Sequence, residues 1–215
     1  MKLKISILIS LLTLTVITCI HPIFRDEQIL QHLGTLLLLM PLFVDLKRNK
    51  LNKQSFVGLS LFIVIHIIGA RYIYSFVPYN QWSQEFLGFN VNEYFDLKRN
   101  HYDRFVHFGF GIFLFPIVFQ LAGKWSSLNK VSTIIITWTI LQTFSMVYEL
   151  FEWLLTLVMK IDAAENYNGQ QGDIWDAHKD MALAMLGSTI ISLFYIITFH
   201  INKKKQPINP QAVEN

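Results

Sequence analysis

Three groups of ionisable residues have the spacing that places side chains on one face of a helix. They are Asp103 with His107, Glu149 with Glu152, and Asp173 with Asp176 and Asp180. Carboxylate oxygens and imidazole nitrogens are ligands for divalent metal ions, and neighbouring carboxyl groups can serve as general acid and base. The spacing therefore predicts one polar pocket to which several helices contribute.

Each candidate residue has a predicted role in that pocket. The predicted catalytic residues are Glu149, Glu152 and Asp103. The predicted metal ligands are His107, Asp173, Asp176 and Asp180. The sequence leaves the cofactor open: the pocket could bind a divalent metal ion or a polar head group. The predicted substrate-binding residues are Arg71, Arg104 and Tyr148, with the guanidinium groups suited to a phosphate.

Structural interpretations of the same residues remain open. Asp103 fits the start of a helix, where the helix dipole favours an acid. Asp173 and Asp176 fit an N-terminal cap. Arg71 is expected to be the counter-ion of Glu149 or Glu152. Because a charge at the centre of a membrane helix costs at least about 2.5 kcal/mol, two acids there need partners, water or protons.

The elements that must position these residues are long apolar segments. Apolar residues make up 53% of the chain and charged residues 15%, and the apolar residues come in blocks. Blocks of roughly 18 to 25 residues match the thickness of the bilayer core. The sequence predicts an all-α transmembrane bundle, one domain over 1–200 followed by a polar tail, 201–215. The predicted spans are 5–20, 29–44, 56–77, 102–122, 131–159 and 177–200.

The first apolar segment also resembles a secretory signal peptide, since Lys2 and Lys4 precede it. No small-x-small cleavage site precedes His21, so we expect the segment to be retained as the first span. The single cysteine, Cys19, excludes a disulfide framework and a cysteine-based zinc site within the chain.

Lysine and arginine are concentrated in alternate connectors, which predicts the orientation of the bundle. The N-terminus, 45–55, 123–130 and the tail carry most of them. Both termini are therefore predicted to be cytoplasmic, in the inner membrane, with the pocket on the extracytoplasmic side. The net charge of +3 is not gathered into a basic stripe, so we expect a lipid bilayer and no nucleic acid as partner.

Several short motifs resemble those of the YjdF-like family of bacterial inner-membrane proteins. They are Tyr102-Asp103-Arg104 with His107, Tyr148-Glu149 with Glu152-Trp153, the stretch from Gly169 through Gln171-Gly172-Asp173 to Trp175-Asp176, and Asp180-Met181. The Asp-Arg-x-x-His motif, a mid-chain Glu and a late Asp are more distantly similar to VanZ-like proteins, which are linked to glycopeptide resistance. The first resemblance implies a polytopic inner-membrane protein and implies no particular activity.

The sequence leaves the function open among three classes of protein. A metal-dependent enzyme acting on a lipid-linked or envelope substrate would use the pocket at the level of the lipid head groups. A proton- or ion-coupled transporter would use the same carboxylates as a relay. A non-catalytic accessory protein would use the buried charges only to fix helix packing. The sequence does not predict an oligomeric state.

Overall fold

The computed structural model describes residues 1–125, 127–159, 164 and 167–204, and within them every regular element is a helix. The helices are α1 (Lys2–Thr18), α2 (Arg25–Arg48), α3 (Lys53–Arg71), α4 (Tyr79–Leu87), α5 (Val91–Tyr94), α6 (Tyr102–Phe113), α7 (Phe115–Trp125), α8 (Lys130–Val158) and α9 (Asp176–Lys204). The predicted all-α bundle is confirmed.

Five helical segments are long and apolar enough to cross a membrane. They are Arg25–Arg48, Lys53–Arg71, Tyr102–Lys124, Lys130–Val158 and Asp176–Asn202. Helix α1 has 17 residues and lies at the short end of the range for a membrane span, about 17 to 25 residues. The described residues thus contain five candidate spans, and the sixth span expected from the sequence, α1, stays a prediction.

The third span is shorter than the sequence predicts. Apolar residues continue to position 77, but α3 ends at Arg71 because the backbone turns back there. Ile73 and Tyr74 have φ angles of 41° and 57°, in the left-handed region that residues with a side chain rarely adopt. The turn returns the Tyr74 side chain to the bundle, where it is buried.

The fourth span consists of two helices, α6 and α7, which meet at Leu114. Pro116 has no N–H to donate to the preceding turn, and its ring crowds the carbonyl four residues earlier. Helix α3 supports the break, because the Ser55 hydroxyl donates to the Pro116 carbonyl at 2.9 Å. Gly58 also lies against this segment, where an added Cβ would be 2.5 Å from the Phe113 carbonyl oxygen.

Helices α6 and α9 are in backbone contact through glycines. A Cβ at Gly111 would lie 2.3 Å from the Ala184 carbonyl oxygen, and one at Gly187 would lie 2.3 Å from that of Phe108. Small residues allow such close approach of membrane helices. Helix α8 is joined to α9 by a hydrogen bond of 2.8 Å from the Gln142 amide to the Ser188 hydroxyl. These contacts bring the polar ends of α6, α8 and α9 together.

The opposite end of the bundle is closed by its own ion pair. Lys4 Nζ lies 2.6 Å from Asp45 Oδ2, and the other carboxylate oxygen accepts the N–H groups of Lys50 and Leu51 at 2.7 Å. Asp45 is thereby fully partnered and fixes α1 against the connector between α2 and α3. Asp45 is not one of the site residues predicted from the sequence.

Candidate functional site

Helices α6, α8 and α9 form a cluster of buried carboxyl groups around one histidine. Asp103, His107 and Asp180 each offer one ligand atom, a carboxylate oxygen or a ring nitrogen, and these three atoms lie within 4.8 Å of one another. His107 Nε2 is 3.7 Å from Asp103 Oδ1 and 3.6 Å from Glu149 Oε1. All four side chains are buried. We call these four residues the carboxylate–histidine cluster.

Two oxygens of this cluster are buried without a hydrogen-bond partner in the described part of the chain. They are Glu149 Oε1 and Asp180 Oδ1. Unpaired buried carboxylate oxygens are costly, because burial removes the water that would solvate them. A bound cation or a proton would remove that cost. The donor set of one imidazole and several carboxylates suits a divalent cation.

Glu152 and two tyrosines lie directly behind the cluster. The Glu152 carboxyl group is a neighbour of Glu149 and of the Tyr148 hydroxyl. The Tyr148 ring lies 5.9 Å from the His107 ring. Tyr167, in the connector between α8 and α9, also neighbours Tyr148, and burial raises the pKa of Tyr167 to about 12. Tyr167 therefore remains a neutral phenol at physiological pH.

Closer to the ends of the helices, the acids of the α8–α9 connector are paired with arginines. Arg99 donates to both oxygens of Asp176, at 2.6 and 3.3 Å, and to the carbonyls of Gly169 and Gln170 at 2.7 and 2.8 Å. Arg104 Nη2 lies 2.5 Å from Asp173 Oδ2 and 3.2 Å from Asp176 Oδ1. We call Arg99, Arg104, Asp173 and Asp176 the arginine–carboxylate network.

Asp173 has two further partners at the edge of this network. Lys179 Nζ lies 2.6 Å from Asp173 Oδ2, and the Trp175 N–H donates to Oδ1 at 3.1 Å. These contacts, the Lys179 contact first, hold the pKa of Asp173 well below its usual range. Asp173 is therefore ionised and tied to protein donors over the physiological range.

Two cavities adjoin the carboxylate–histidine cluster on different sides. The larger, about 460 Å³, lies between α2 and α8 and is lined mainly by apolar side chains, with Asp103, His107 and Tyr148 at its polar end. The smaller, about 210 Å³, is lined by Glu149 and Glu152 of α8, by residues of the α8–α9 connector and by the first turn of α9. Acids of the cluster therefore line an apolar cavity on one side and a polar one on the other.

The structure brings together some of the predicted site residues and separates others. Asp103, His107, Glu149 and Asp180 meet in the cluster, with Glu152 and Tyr148 beside it. The predicted metal ligands Asp173 and Asp176 bind Arg99 and Arg104 in the network, so Arg104 contacts protein carboxylates.

Arg71 lies apart from the other predicted site residues. Its guanidinium donates to the Thr18 carbonyl at 3.1 Å. Within the described residues it has no carboxylate within 4.0 Å, so the expected ion pair with Glu149 or Glu152 is not formed. Arg71 instead connects the end of α3 to the end of α1.

Sequence reasoning missed Arg99, which makes more contacts than any of the predicted cations. Arg99 and Asp176 are 77 positions apart and share no helix, so helical spacing could not pair them. The sequence offered only a weaker signal than helical spacing for Arg99. Arg99 belongs to a connector that is otherwise poor in cations, and it comes shortly before the motif that contains Asp103. Asn168 was also missed; its side-chain amide donates to the Glu152 carbonyl at 3.1 Å.

Comparison with known proteins agrees with the YjdF-like motifs. The chain is 27% identical over 202 residues to the inner membrane protein YjdF of Escherichia coli (strain K12), an alignment that covers 92% of this chain and 91% of the relative. No solved structure matches the chain significantly. The distant similarity to VanZ-like proteins stays a prediction. Residues 3–200 match the family described as predicted membrane protein (DUF2238), so the chain belongs to this family, and its five candidate spans agree with a multi-pass membrane protein.

Proposed function

We propose that this protein is an enzyme that uses a divalent cation bound by Asp103, His107 and Asp180 to act on a lipid-linked or envelope substrate. The observation that carries the proposal is the meeting of these three buried side chains from α6 and α9, with Asp180 Oδ1 lacking a partner in the described part of the chain. A merely structural acid would be expected to have its oxygens satisfied, as those of Asp45 and Asp176 are.

The spacing of the donor atoms suits a cation. Divalent cations bind protein oxygen and nitrogen at roughly 2.0 to 2.6 Å, so ligands on opposite sides of one ion lie about 4 to 5 Å apart. The three donor atoms here lie within 4.8 Å of one another. A cation held there would polarise a carbonyl or phosphoryl oxygen of the substrate as a Lewis acid. Asp103, predicted as a catalytic acid, is better placed as a ligand.

Glu149 is the side chain best placed to exchange a proton with substrate. Its Oε1 lies 3.6 Å from His107 Nε2 and has no hydrogen-bond partner among the described residues. Glu152 lies behind it and contacts Tyr148, so Glu152 can orient Glu149. This arrangement gives one carboxyl group for acid–base work and one for positioning, which two neighbouring carboxyls commonly provide.

An amphiphilic substrate fits the two cavities that adjoin the cluster. Leu37 of α2 and Phe144 of α8 line the larger cavity and are also largely exposed, at 67% and 58%, so its mouth opens on the face that lipid would cover. The cavity is apolar apart from its polar end, and its volume of about 460 Å³ is typical of ligand pockets. A hydrocarbon chain in this cavity would place a polar head group at the cluster.

The proposed side of action is the extracytoplasmic face. The distribution of lysine and arginine supports this orientation, because α3 and α8 end, and α6 and α9 begin, on the side where connectors are poor in cations. Asp103 is in the first turn of α6 and Asp180 in the second turn of α9. The cluster would then lie near the lipid head groups.

Metal analysis of the purified full-length protein tests the cation. The protein in detergent is stripped with a chelator, dialysed against ZnCl2 or MnCl2, and its metal content is measured by mass spectrometry. We expect stoichiometric binding that Asp180→Asn weakens more than about tenfold, since loss of supporting contacts alone costs 10- to 100-fold. Asp96→Asn is the control, because Asp96 is exposed and pairs only with Lys98 among the described residues. Equal metal in wild type and Asp180→Asn would contradict the proposal.

Lipid turnover tests the reaction. Metal-loaded protein is reconstituted into vesicles of bacterial lipid extract, and the lipids are analysed by mass spectrometry over time. We expect loss of one lipid class with wild type and no loss with Glu149→Gln. A metal-loaded wild type that leaves every lipid unchanged would refute the enzymatic proposal while leaving the cation site intact.

A transporter is the second candidate, and two observations favour it. Acids of the cluster line two separate cavities, and the span that carries Asp103 and His107 is interrupted at Leu114. Interrupted helices commonly surround substrate sites in transporters. Uptake of labelled zinc or manganese into vesicles, with and without a proton gradient, separates the candidates because an enzyme shows no dependence on the gradient. A non-catalytic accessory protein would show neither uptake nor turnover.

A further inference from the structure

A line of hydrogen bonds runs from the larger cavity through α3 to α2; the bonds of His66 are buried and those of His32 are part-buried. Tyr74 Oη lies 2.5 Å from His66 Nδ1, and His66 Nε2 lies 3.0 Å from the Thr35 hydroxyl. The Thr35 hydroxyl lies 3.1 Å from His32 Nδ1, and His32 Nε2 lies 3.1 Å from the Gln28 amide nitrogen. Tyr74 and His66 line the same cavity as Asp103 and His107, so the line begins beside the cluster.

The donors and acceptors along this line are consistent with a single direction. The Gln28 amide nitrogen donates to His32 Nε2, so His32 carries its proton on Nδ1 and donates to Thr35. The Thr35 hydroxyl then donates to His66 Nε2 while the His66 proton is on Nδ1; when a proton is on Nε2, the ring donates to Thr35 or to the Gln31 carbonyl, which also contacts His66. His66 donates from Nδ1 to Tyr74, whose own O–H is left to donate elsewhere. Each histidine and hydroxyl both accepts and donates, which is the requirement for passing a proton along a chain.

The opposite direction is also available to the same residues. It requires Gln28 to present its oxygen to His32, and Gln28 Oε1 is buried with no hydrogen-bond partner in the described part of the chain. A half-turn of this amide group would supply the acceptor. The line can therefore be reset after a proton has passed, with each histidine exchanging one tautomer for the other.

The backbone at the end of α3 is arranged to place Tyr74 on this line. The left-handed φ angles of Ile73 and Tyr74, 41° and 57°, are unfavourable for residues with a side chain, and most of all for β-branched isoleucine. The Tyr74 ring then lies on Gly69, where an added Cβ would be 2.6 Å from the ring. Backbone strain that is retained at one point commonly marks a functional position.

We propose that Tyr74, His66, Thr35 and His32 form a proton relay between the carboxylate–histidine cluster and the half-buried edge of α2. When the Gln28 amide turns away, His32 Nε2 accepts a proton and releases one from Nδ1 to Thr35. Thr35 passes its own proton to His66 Nε2, and His66 releases one from Nδ1 to Tyr74. Tyr74 then gives its hydroxyl proton to a carboxylate of the cluster, directly or through water in the cavity. One proton enters and one leaves, and no group is oxidised. The relay requires no bound cation and so stands apart from the enzymatic proposal.

Hydrogen exchange of the His66 ring tests the relay. Full-length protein labelled with 15N-histidine is reconstituted in lipid nanodiscs, and exchange of the His66 ring N–H with water is measured by NMR. We expect measurable exchange in wild type, slower exchange in Thr35→Val and in Tyr74→Phe, and slowing by more than about tenfold in the double variant, because a buried proton without a path exchanges only through opening of the structure. Thr35→Ser keeps the hydroxyl and should exchange as wild type does.

Matched substitutions control for disturbed packing. Thr137→Val removes a fully buried hydroxyl that donates to the Thr133 carbonyl at 2.7 Å, and Tyr102→Phe removes a buried phenol that donates to the Ile65 carbonyl at 2.8 Å. Both should leave His66 exchange unchanged. The proposal is overturned if the double variant exchanges as fast as wild type, or if the two controls slow exchange as much as the double variant does.

Discussion

The polar end of the bundle holds two sets of acids that differ in their partners. In the arginine–carboxylate network, Asp173 and Asp176 accept from two arginines, a lysine and a backbone N–H. In the carboxylate–histidine cluster, deeper in the bundle, Glu149 and Asp180 each keep an oxygen with no partner in the described part of the chain. The oxygens of the first set are hydrogen-bonded to protein donors and hold the α8–α9 connector to α6. The second set keeps oxygens that could bind a ligand.

The presence or absence of partners distinguishes the two sets of acids more clearly than burial does, and it is the basis on which we propose the second set as functional. Asp176 and Asp180 are 3% and 2% exposed, so both are equally shielded from water. Removing one member of a buried ion pair is strongly destabilising because its partner charge is left behind. Asp180 forms no ion pair within 4.0 Å among the described residues, so its removal leaves no directly paired charge behind. Substitution at the two positions should therefore have opposite effects on stability.

The largest expected effect is that of Asp176→Asn. This substitution leaves Arg99 and Arg104, whose side chains are only 11% and 14% exposed, without their shared carboxylate. We expect a loss of about 3 to 5 kcal/mol of stability, the usual cost of breaking a buried pair. Thermal unfolding in detergent, followed by tryptophan fluorescence, measures it. In metal-free buffer Asp180→Asn should unfold at or above the wild-type temperature; destabilisation of both variants to the same extent would remove the distinction between the two sets.

Added cation should sharpen the comparison. A ligand at about 100 times its dissociation constant stabilises the folded state by about 2.7 kcal/mol. We expect ZnCl2 or MnCl2 to raise the unfolding temperature of wild type and not that of Asp180→Asn or His107→Gln. The same titration applied to Lys98→Gln, a substitution in an exposed surface pair, should match wild type. A rise of equal size in all variants would indicate non-specific binding.

Arg99→Lys should have a smaller effect than Asp176→Asn. Lysine keeps the charge but loses the planar fork that reaches both Asp176 oxygens and two carbonyls. We expect a loss of about 1.5 to 3 kcal/mol, the range for hydrogen bonds made by charged groups. Limited proteolysis should then cleave the α8–α9 connector faster than in wild type. Unchanged cleavage would show that Arg99 does not hold this connector.

The smallest expected effect is on pH dependence. Because the pKa of Asp173 is lowered in the folded state, its contribution to stability is complete above the usual aspartate range and is lost as pH falls through the folded-state value. Unfolding temperatures measured from pH 7 to about 3 should fall less steeply in Asp173→Asn than in wild type. Identical slopes would mean that the Lys179 and Arg104 contacts do not persist in solution.

The sequence predicted the helices and the sharing of faces, because both follow from local patterns. Long apolar runs predicted the spans. The spacing of Glu149 and Glu152 predicted that they share a helical face, and both are buried. Spacing does not determine which neighbouring helix a face will meet, so the Arg71 pairing was wrong and Arg99 was missed. The end of α3 was also misplaced, since the apolar pattern continues through Ile73 while the backbone turns there.

The glycine contact between α6 and α9 has a genetic consequence. A Cβ added at Gly111 or at Gly187 would lie 2.3 Å from a carbonyl oxygen of the opposing helix. Even alanine at either position would therefore push apart the helices that carry Asp103, His107 and Asp180. A random screen for inactive alleles should thus recover changes at these two positions as often as changes at the ionisable residues. Replacing Ala184 or Phe108 should not suppress such alleles, because the clash is with a backbone carbonyl oxygen that every residue carries.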